Sequence, residues 1–261
     1  MEKIFNKILD SIRRNNACAL ATVVSSQGSS PRKVGAKMVI FGDGSIEGTI
    51  GGGGLEKLVI ADAAAALKRR ASFLKVYPLD RKSGLQICGG KVSIFIETLE
   101  PDKKLIIAGG GHIGLALSFI AKLLNFDLVV IDNRRRFAHK QRFPHADRII
   151  CDSYEEAFKK IKTDKNTLIV IITHGHVYDT ECLEAALKCD VGYIGMIGSD
   201  AKIKHVFALL LKKGFKKSQL NKVFTPIGLD IGAETPQEIA VAIAAQLVAV
   251  SRKDESEKFP P

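Results

Sequence analysis

No stretch of this sequence is apolar for long enough to cross a membrane: charge or glycine breaks every apolar run well before the roughly 18 residues that a span needs. The amphipathic start, Met1 to Arg14, also lacks the apolar run of a secretory signal. The expectation is a cytoplasmic protein with no membrane partner. There is no Cys-x-x-Cys pair. The five cysteines, Cys18, Cys88, Cys151, Cys182 and Cys189, are odd in number and widely spaced, which argues against a zinc knuckle or a dithiol redox centre and for free thiols in a reducing compartment. Nor is there a basic block. The net charge of +11 is shared about evenly before and after residue 100, so nucleic acid, whose affinity rests on clustered phosphate contacts, is not an expected partner. No internal repeat is present.

What is present suits a folded α/β chain. Its 261 residues, 46% apolar and 26% charged, can build two compact domains. The polar, proline-marked segment Leu99 to Lys104 divides two patterns, giving an N-terminal domain over 1–100, a C-terminal one over 104–252, and a polar tail over 253–261 expected to be disordered. The first part reads as α+β. A helix carries Ile4, Ile8, Leu9 and Ile12, strands run over Ala17–Val24 and Ala36–Phe41, and Gly42 to Ser45 make a turn. A helix over Leu55–Arg70 and strands over Ser72–Leu79 and Lys91–Thr98 complete it.

The second part alternates. Apolar runs at Lys104–Ala108, Asp127–Ile131, Arg148–Cys151, Leu168–Thr173 and Val191–Ile197 are separated by helical patterns near Ile113–Leu124, Tyr154–Ile161 and Asp179–Lys188, as parallel strands with helical crossovers require. Thr235, Pro236 and Glu238 mark the start of a last helix by the capping-box spacing. The fold class expected is α/β, a C-terminal Rossmann-like parallel sheet with a smaller N-terminal α+β domain.

The chemistry-bearing strings are loops. Gly109, Gly110, Gly111, His112, Ile113 and Gly114 give G-x-G-x-x-G between a strand and a helix: the first glycine turns the chain, the second lets a pyrophosphate approach the backbone, and the third lets helix and strand pack closely. About twenty residues on, Asp132 ends the next run, where an acid can accept from ribose hydroxyls. Asn133, Arg134, Arg135 and Arg136 follow, either to favour a phosphorylated ribose or as a solvated charge run. Gly51, Gly52 and Gly53 before one helix, and Gly198 with Ser199 before another, are further places where backbone N–H groups can face an anion, or simply flexible turns. The string His174, Gly175, His176, Val177, Tyr178, Asp179 has a metal-like spacing, but no second histidine cluster completes a site, so a ligand-facing loop with His176 and Asp179 as candidate reactive groups is expected, and no metal. Cys88, before Gly89 and Gly90, is either a sterically open thiol able to approach a ligand or a small buried residue, and on its own residues the second reading is favoured.

Taken together, Val23–Met38 (VVSSQGSSPRKVGAKM), Gly48–Gly53 (GTIGGG), Cys88–Gly90 (CGG), Gly109–Gly114 (GGGHIG), His174–Asp179 (HGHVYD) and Pro226–Pro236 (PIGLDIGAETP) resemble the xanthine dehydrogenase accessory factor family, XdhC/CoxI type. The strings occur in order from about residue 17 to 250. The resemblance implies a factor that binds the molybdenum cofactor (molybdopterin), presents it to a cysteine desulfurase for sulfuration and hands it to a molybdenum hydroxylase apoenzyme. It implies a cofactor-binding chaperone more than a turnover enzyme, commonly a homodimer. It also gives Cys88 a role as a cofactor or sulfur contact, with Ser29, Ser30 and Arg32 toward the pterin phosphate. One departure stands out: Asp200 and Ala201 precede Lys202 where relatives commonly turn basic directly after the glycine-serine pair, which predicts a weaker anion site there. Two other readings use the same glycine loop: an NAD(P)-dependent oxidoreductase, and a non-catalytic nucleotide-sensing module.

Overall fold

The computed structural model describes residues 1–28, 32–79 and 90–252, apart from the side chains of His176 and Arg252. Ser29, Ser30 and Cys88, and the tail over 253–261, therefore lie outside the described residues. The chain forms two compact units, Met1–Pro101 and a second from Asp102 onward.

In the first unit, helix α1 (Glu2–Arg13) leads into β1 (Cys18–Gly28), β2 (Lys37–Phe41) and β3 (Ile46–Gly48). Helix α2 (Gly53–Arg69), β4 (Phe73–Pro78) and β5 (Gly90–Leu99) follow. The sheet order is β3-β2-β1-β5-β4, every pair antiparallel. Side chains on a strand alternate between faces, and β1 is apolar on both. Cys18 and Leu20 pack with Ile4 and Ile8 of α1, whereas Ala19, Ala21 and Val23 pack with Leu55, Val59 and Ala63 of α2. The small alanines let α2 lie close to the sheet. A bulge at Val24 shifts the register between β1 and β5, so that Val23 faces Ile94 but Ser25 faces Ser93.

In the second unit, β6 (Lys104–Ala108), α3 (His112–Leu123), β7 (Asp127–Ile131), β8 (Arg148–Ile150), α4 (Tyr154–Lys159) and β9 (Thr167–Ile171) alternate. They continue into α5 (His176–Leu187), β10 (Tyr193–Met196), α6 (Asp200–Lys212), α7 (Lys217–Leu220), β11 (Val223–Phe224) and α8 (Pro236–Arg252). All pairs are parallel in the order β8-β7-β6-β9-β10-β11. Each strand is apolar on both faces, as burial between two helical layers demands. Ile106, Ile169 and Ile171 pack against Tyr154, Leu183 and Val206 of α4, α5 and α6; Leu105, Ile107 and Val170 pack against Leu117, Ala121, Ile243 and Leu247 of α3 and α8. The chain winds one way from β6 to β8 and the other from β9 to β11. The strand order therefore reverses between β6 and β9, the place where such sheets open a crevice at their carboxyl ends.

Helix α8 starts at the expected box: Glu238 Oε2 accepts from the N–H groups of Thr235 (2.8 Å) and Glu234 (2.9 Å), and Thr235 Oγ1 accepts from Glu238 N–H (3.3 Å). Helix α5 begins at His176, three residues earlier than the sequence predicts, because Gly175 at φ +92° supplies the turn. No helix among the described residues is long and apolar enough to cross a membrane. Cys18, Cys151, Cys182 and Cys189 are free thiols.

Candidate functional site

The glycine loop sits at the strand-order reversal. Gly109, at φ +125°, turns the chain out of β6 so tightly against the neighbouring strand that an added Cβ would lie 2.3 Å from the Ile172 carbonyl oxygen. At Gly114 an added Cβ would meet the Gly109 carbonyl oxygen at 2.1 Å, so the first turn of α3 packs directly on the end of β6. Gly111 differs: nothing lies within 4 Å of where its Cβ would be. The backbone at Gly111 is thus open to an approaching group, whereas at Gly110 an added Cβ would meet the Phe137 carbonyl oxygen at 2.4 Å. Gly111 is also the cap of α3, with no side-chain cap bond. The first N–H groups of a helix lack intrahelical partners, and at this end they face the open side with the positive pole of the helix dipole.

The loop is held from below and from one side. Asp132, fully buried at the end of β7, accepts from Gly110 N–H on Oδ2 (2.7 Å). It also accepts from Arg134 N–H (3.0 Å) and Arg134 Nε (2.9 Å) on Oδ1, and from Arg134 Nη2 (2.9 Å) on Oδ2. Burial pushes the carboxyl pKa up, but the Arg134 guanidinium and the two N–H groups outweigh it and hold the carboxyl below the usual range. Every strong acceptor position on Asp132 is used inside the protein. A ribose hydroxyl, the partner expected from the sequence, would have to displace one of these donors. Arg142, which no sequence spacing singles out, donates through Nε to Gly110 O (2.9 Å) and through Nη2 to Gly111 O (3.2 Å). Phe137 gathers the cations: the guanidinium carbons of Arg134, Arg136 and Arg142 lie 4.0, 4.9 and 5.2 Å from its ring centre. Arg135, Arg136 and His112 are exposed.

On the other side of the reversal, Gly198 precedes Ser199, whose Oγ accepts weakly from Lys202 N–H (3.5 Å) as the cap of α6. The sequence reads Lys202 as displaced from the loop by Asp200 and Ala201. In the structure one helical turn brings it back, and its Nζ pairs with Oδ2 of the fully buried Asp179. Thr173 Oγ1 donates to Asp179 Oδ1 (2.5 Å). Asp179 is consequently a tied carboxylate at the start of α5. His174, exposed on the loop before it, contacts the Tyr178 ring at 4.6 Å, and Tyr178 in turn meets Tyr154 edge-on at 6.2 Å. His176 occupies the first position of α5. The Tyr154 hydroxyl and Asn133 Oδ1 are buried without a hydrogen-bond partner among the described residues. No group of three or more His, Cys, Asp or Glu side chains among the described residues is placed to hold a metal ion.

In the first unit, register collects the other strings. Gly28 faces Gly90, Thr22 faces Lys37 and Met38 faces Gly48. The ends of β1 and β3 and the starts of β2, β5 and α2 therefore lie at one end of the sheet, where the stretches 29–31 and 80–89 are both attached. Arg32 is exposed there, and Lys37 Nζ donates to Thr22 Oγ1 (2.9 Å). The glycines before α2 do turn N–H groups toward an anion, but the anion is internal. Glu56 Oε1 accepts from Ile50 N–H (3.1 Å), Gly52 N–H (2.9 Å) and Thr49 Oγ1 (2.5 Å), while Gly51 N–H donates to Thr49 Oγ1 (3.2 Å). Burial raises the Glu56 carboxyl, and the Thr49 hydroxyl and the loop amides lower it further than burial raises it. At the glycines for which the sequence offers an external anion or a flexible turn, Gly51, Gly52 and Gly53, Glu56 from one turn into the helix reaches back into the concavity.

Comparison with known proteins bears on both units. The family described as XdhC Rossmann domain matches residues 105–247, and the XdhC and CoxI family matches residues 11–78. The uncharacterized protein YqeB of Escherichia coli K12 is 32% identical over 95% of this chain and 46% of its own length. A probable xanthine dehydrogenase subunit of Bacillus subtilis 168 is 27% identical over 62% of this chain and 47% of its own. The chain thus spans about half the length of these curated relatives. A crystal structure described as a xanthine dehydrogenase from Bacillus halodurans superposes with a TM-score of 0.54 at 24% identity, covering 97% of this chain and 98% of that one. At that identity the likeness concerns the fold.

Proposed function

Since the chain belongs to the XdhC/CoxI family, we propose that it is an accessory factor for molybdenum hydroxylases of the xanthine dehydrogenase type. In this reading it binds the molybdenum cofactor, presents it to a cysteine desulfurase and delivers it to the apoenzyme. The observation that carries the reading is the gathering, by strand register, of three separate family strings at one end of the first sheet, with Gly28 against Gly90 and Met38 against Gly48.

The residues at that end suit the group. The cofactor is anionic through its phosphate, and Arg32 and Lys37 supply cations there. A guanidinium fork matches phosphate oxygens in geometry. Ser29 and Ser30 would donate hydroxyls, and Cys88 would supply a soft thiolate compatible with molybdenum-sulfur chemistry. When bound, the cofactor would supply the metal centre for the sulfuration chemistry. The protein's part is to hold and protect it. Glu56, already filling the glycine concavity, keeps the loop before α2 in one shape rather than serving as the phosphate site.

The test is direct. Protein purified from cells making the cofactor, then denatured and oxidised, should release the fluorescent pterin product in near-stoichiometric amount, and Cys88→Ala should lower retention or delivery of the sulfido form. Absence of pterin from the wild-type chain, together with normal maturation of a cognate hydroxylase in cells lacking it, would overturn the proposal. A homodimer is the assembly expected, checked by light scattering.

A further inference from the structure

The acid at the end of the second strand of a dinucleotide-binding fold ordinarily reads the nearer ribose through its hydroxyls, whereas an arginine nearby accommodates a phosphate on that ribose. Asp132 stands at this position without capacity to do the former. A carboxylate offers about four lone-pair sites, and hydrogen bonds from Gly110, the Arg134 backbone and two guanidinium nitrogens take them, with the group fully buried. Its charge is spent on Arg134.

Cations remain instead. Arg134 commits Nε and Nη2 to Asp132, yet its side chain stays 23% exposed, and a guanidinium has further N–H donors to give. Arg135 and Arg136 follow, both exposed, and the guanidinium carbons of Arg134 and Arg136 lie 4.0 and 4.9 Å from the centre of the Phe137 ring. Arg142 is tied to the loop carbonyls, so it adds positive potential without flexibility. The Tyr154 hydroxyl is wholly buried and unpartnered among the described residues, with its ring edge-on to Tyr178. Asn133 Oδ1, in the residue after Asp132, is likewise buried and unpartnered among the described residues.

We infer that the crevice over Gly111 takes a dinucleotide whose adenine-side ribose carries a 2′-phosphate, read by Arg134, Arg135 and Arg136, and discriminates against the unphosphorylated form. The pyrophosphate lies on the open backbone at Gly111 and the start of α3, and the extra phosphate on the arginines. This goes beyond the accessory role proposed above, and its readout, nucleotide affinity, is independent of pterin retention; either can fail alone.

The experiment is calorimetric titration of the full chain with NADPH and NADH at physiological ionic strength. NADPH should bind about tenfold tighter or more, as charge-assisted hydrogen bonds to one phosphate allow. The Arg135→Ser/Arg136→Ser variant should bring the two affinities to within about twofold. A chain of net charge +11 favours polyanions in general, so the control variant Lys57→Ser/Lys68→Ser, with both residues exposed in the first unit, removes the same charge and should keep the preference. Adenosine 2′,5′-bisphosphate should compete with NADPH, and adenosine 5′-monophosphate should not. Equal or tighter binding of NADH, absence of binding by either dinucleotide, or an equal loss in the lysine control would each overturn the inference.

Discussion

Lys202 reaches back along the first turn of α6 to pair with Asp179, a carboxylate wholly buried at the start of α5. The starts of α5 and α6, which follow β9 and β10, are thereby fastened to one another. A cation in the first turn of a helix opposes the helix dipole, so the pairing offsets a placement that is otherwise unfavourable. Removing one member of a buried pair strands the other: Lys202→Met should cost about 3 kcal/mol. The double variant Asp179→Asn/Lys202→Met should recover much of that loss, and urea unfolding of the four proteins of the cycle measures it. Equal and additive losses would show that the two side chains do not act as a pair.

Two glycines of one loop should respond oppositely. Gly114→Ala drives a methyl group to 2.1 Å from the Gly109 carbonyl oxygen, and should destabilise by about 2 kcal/mol or more. Gly111 has φ −67° and open space, so Gly111→Ala should leave stability within about 0.5 kcal/mol of wild type. Dinucleotide affinity should nevertheless fall, because the methyl group occupies the approach to the backbone. Thermal unfolding and titration on the same samples separate the two effects, and a Gly111→Ala chain that binds as well as wild type would place the ligand elsewhere.

Acid should loosen the second unit through Asp132. Its folded pKa is held below the ordinary value of about 3.9, so the unfolded chain takes up the proton first as pH falls. The stabilisation is complete above that value and is lost as pH drops through the lower folded pKa. Asp132→Asn should cost about 2 kcal/mol near neutrality, and the gap from wild type should narrow below pH of about 4. A gap that stays constant down to strong acid would mean the ion pair with Arg134 contributes nothing.

Glu56 offers the parallel case in the first unit. Glu56→Ala leaves the N–H groups of Ile50 and Gly52 without their acceptor and should cost about 1–2 kcal/mol. Glu56→Gln, which keeps an acceptor oxygen, should lose less. Added phosphate that restores the stability of the alanine variant would show that the concavity accepts an external anion once it is emptied.

Much of this was legible in the sequence where local rules and burial agree. Strands β6 and β7 span the predicted Lys104–Ala108 and Asp127–Ile131, because a parallel strand covered on both faces is an unbroken apolar run between punctuating residues. The three glycines of the loop have the turn, approach and packing environments their spacing implies. Other features depend on distance rather than neighbours. Arg142 joins the glycine loop from 31 and 32 residues away, Glu56 turns back upon its own helix start, and Lys202 regains the loop only after a helical turn has formed. Strand β11, two residues long, is too short to show a period.

The bulge at Val24 places one residue of β1 outside the pairing with β5. With that residue out of step, Ser25 to Gly28 keep pace with Ser93 to Gly90. Excising it would leave these pairs in place, because Ser25 already faces Ser93 as a residue directly after Val23 would, and would remove only the local bend and extra twist that the bulge gives the strand. A one-codon deletion at Val24 would thus straighten β1 without changing which of its side chains meet those of β5.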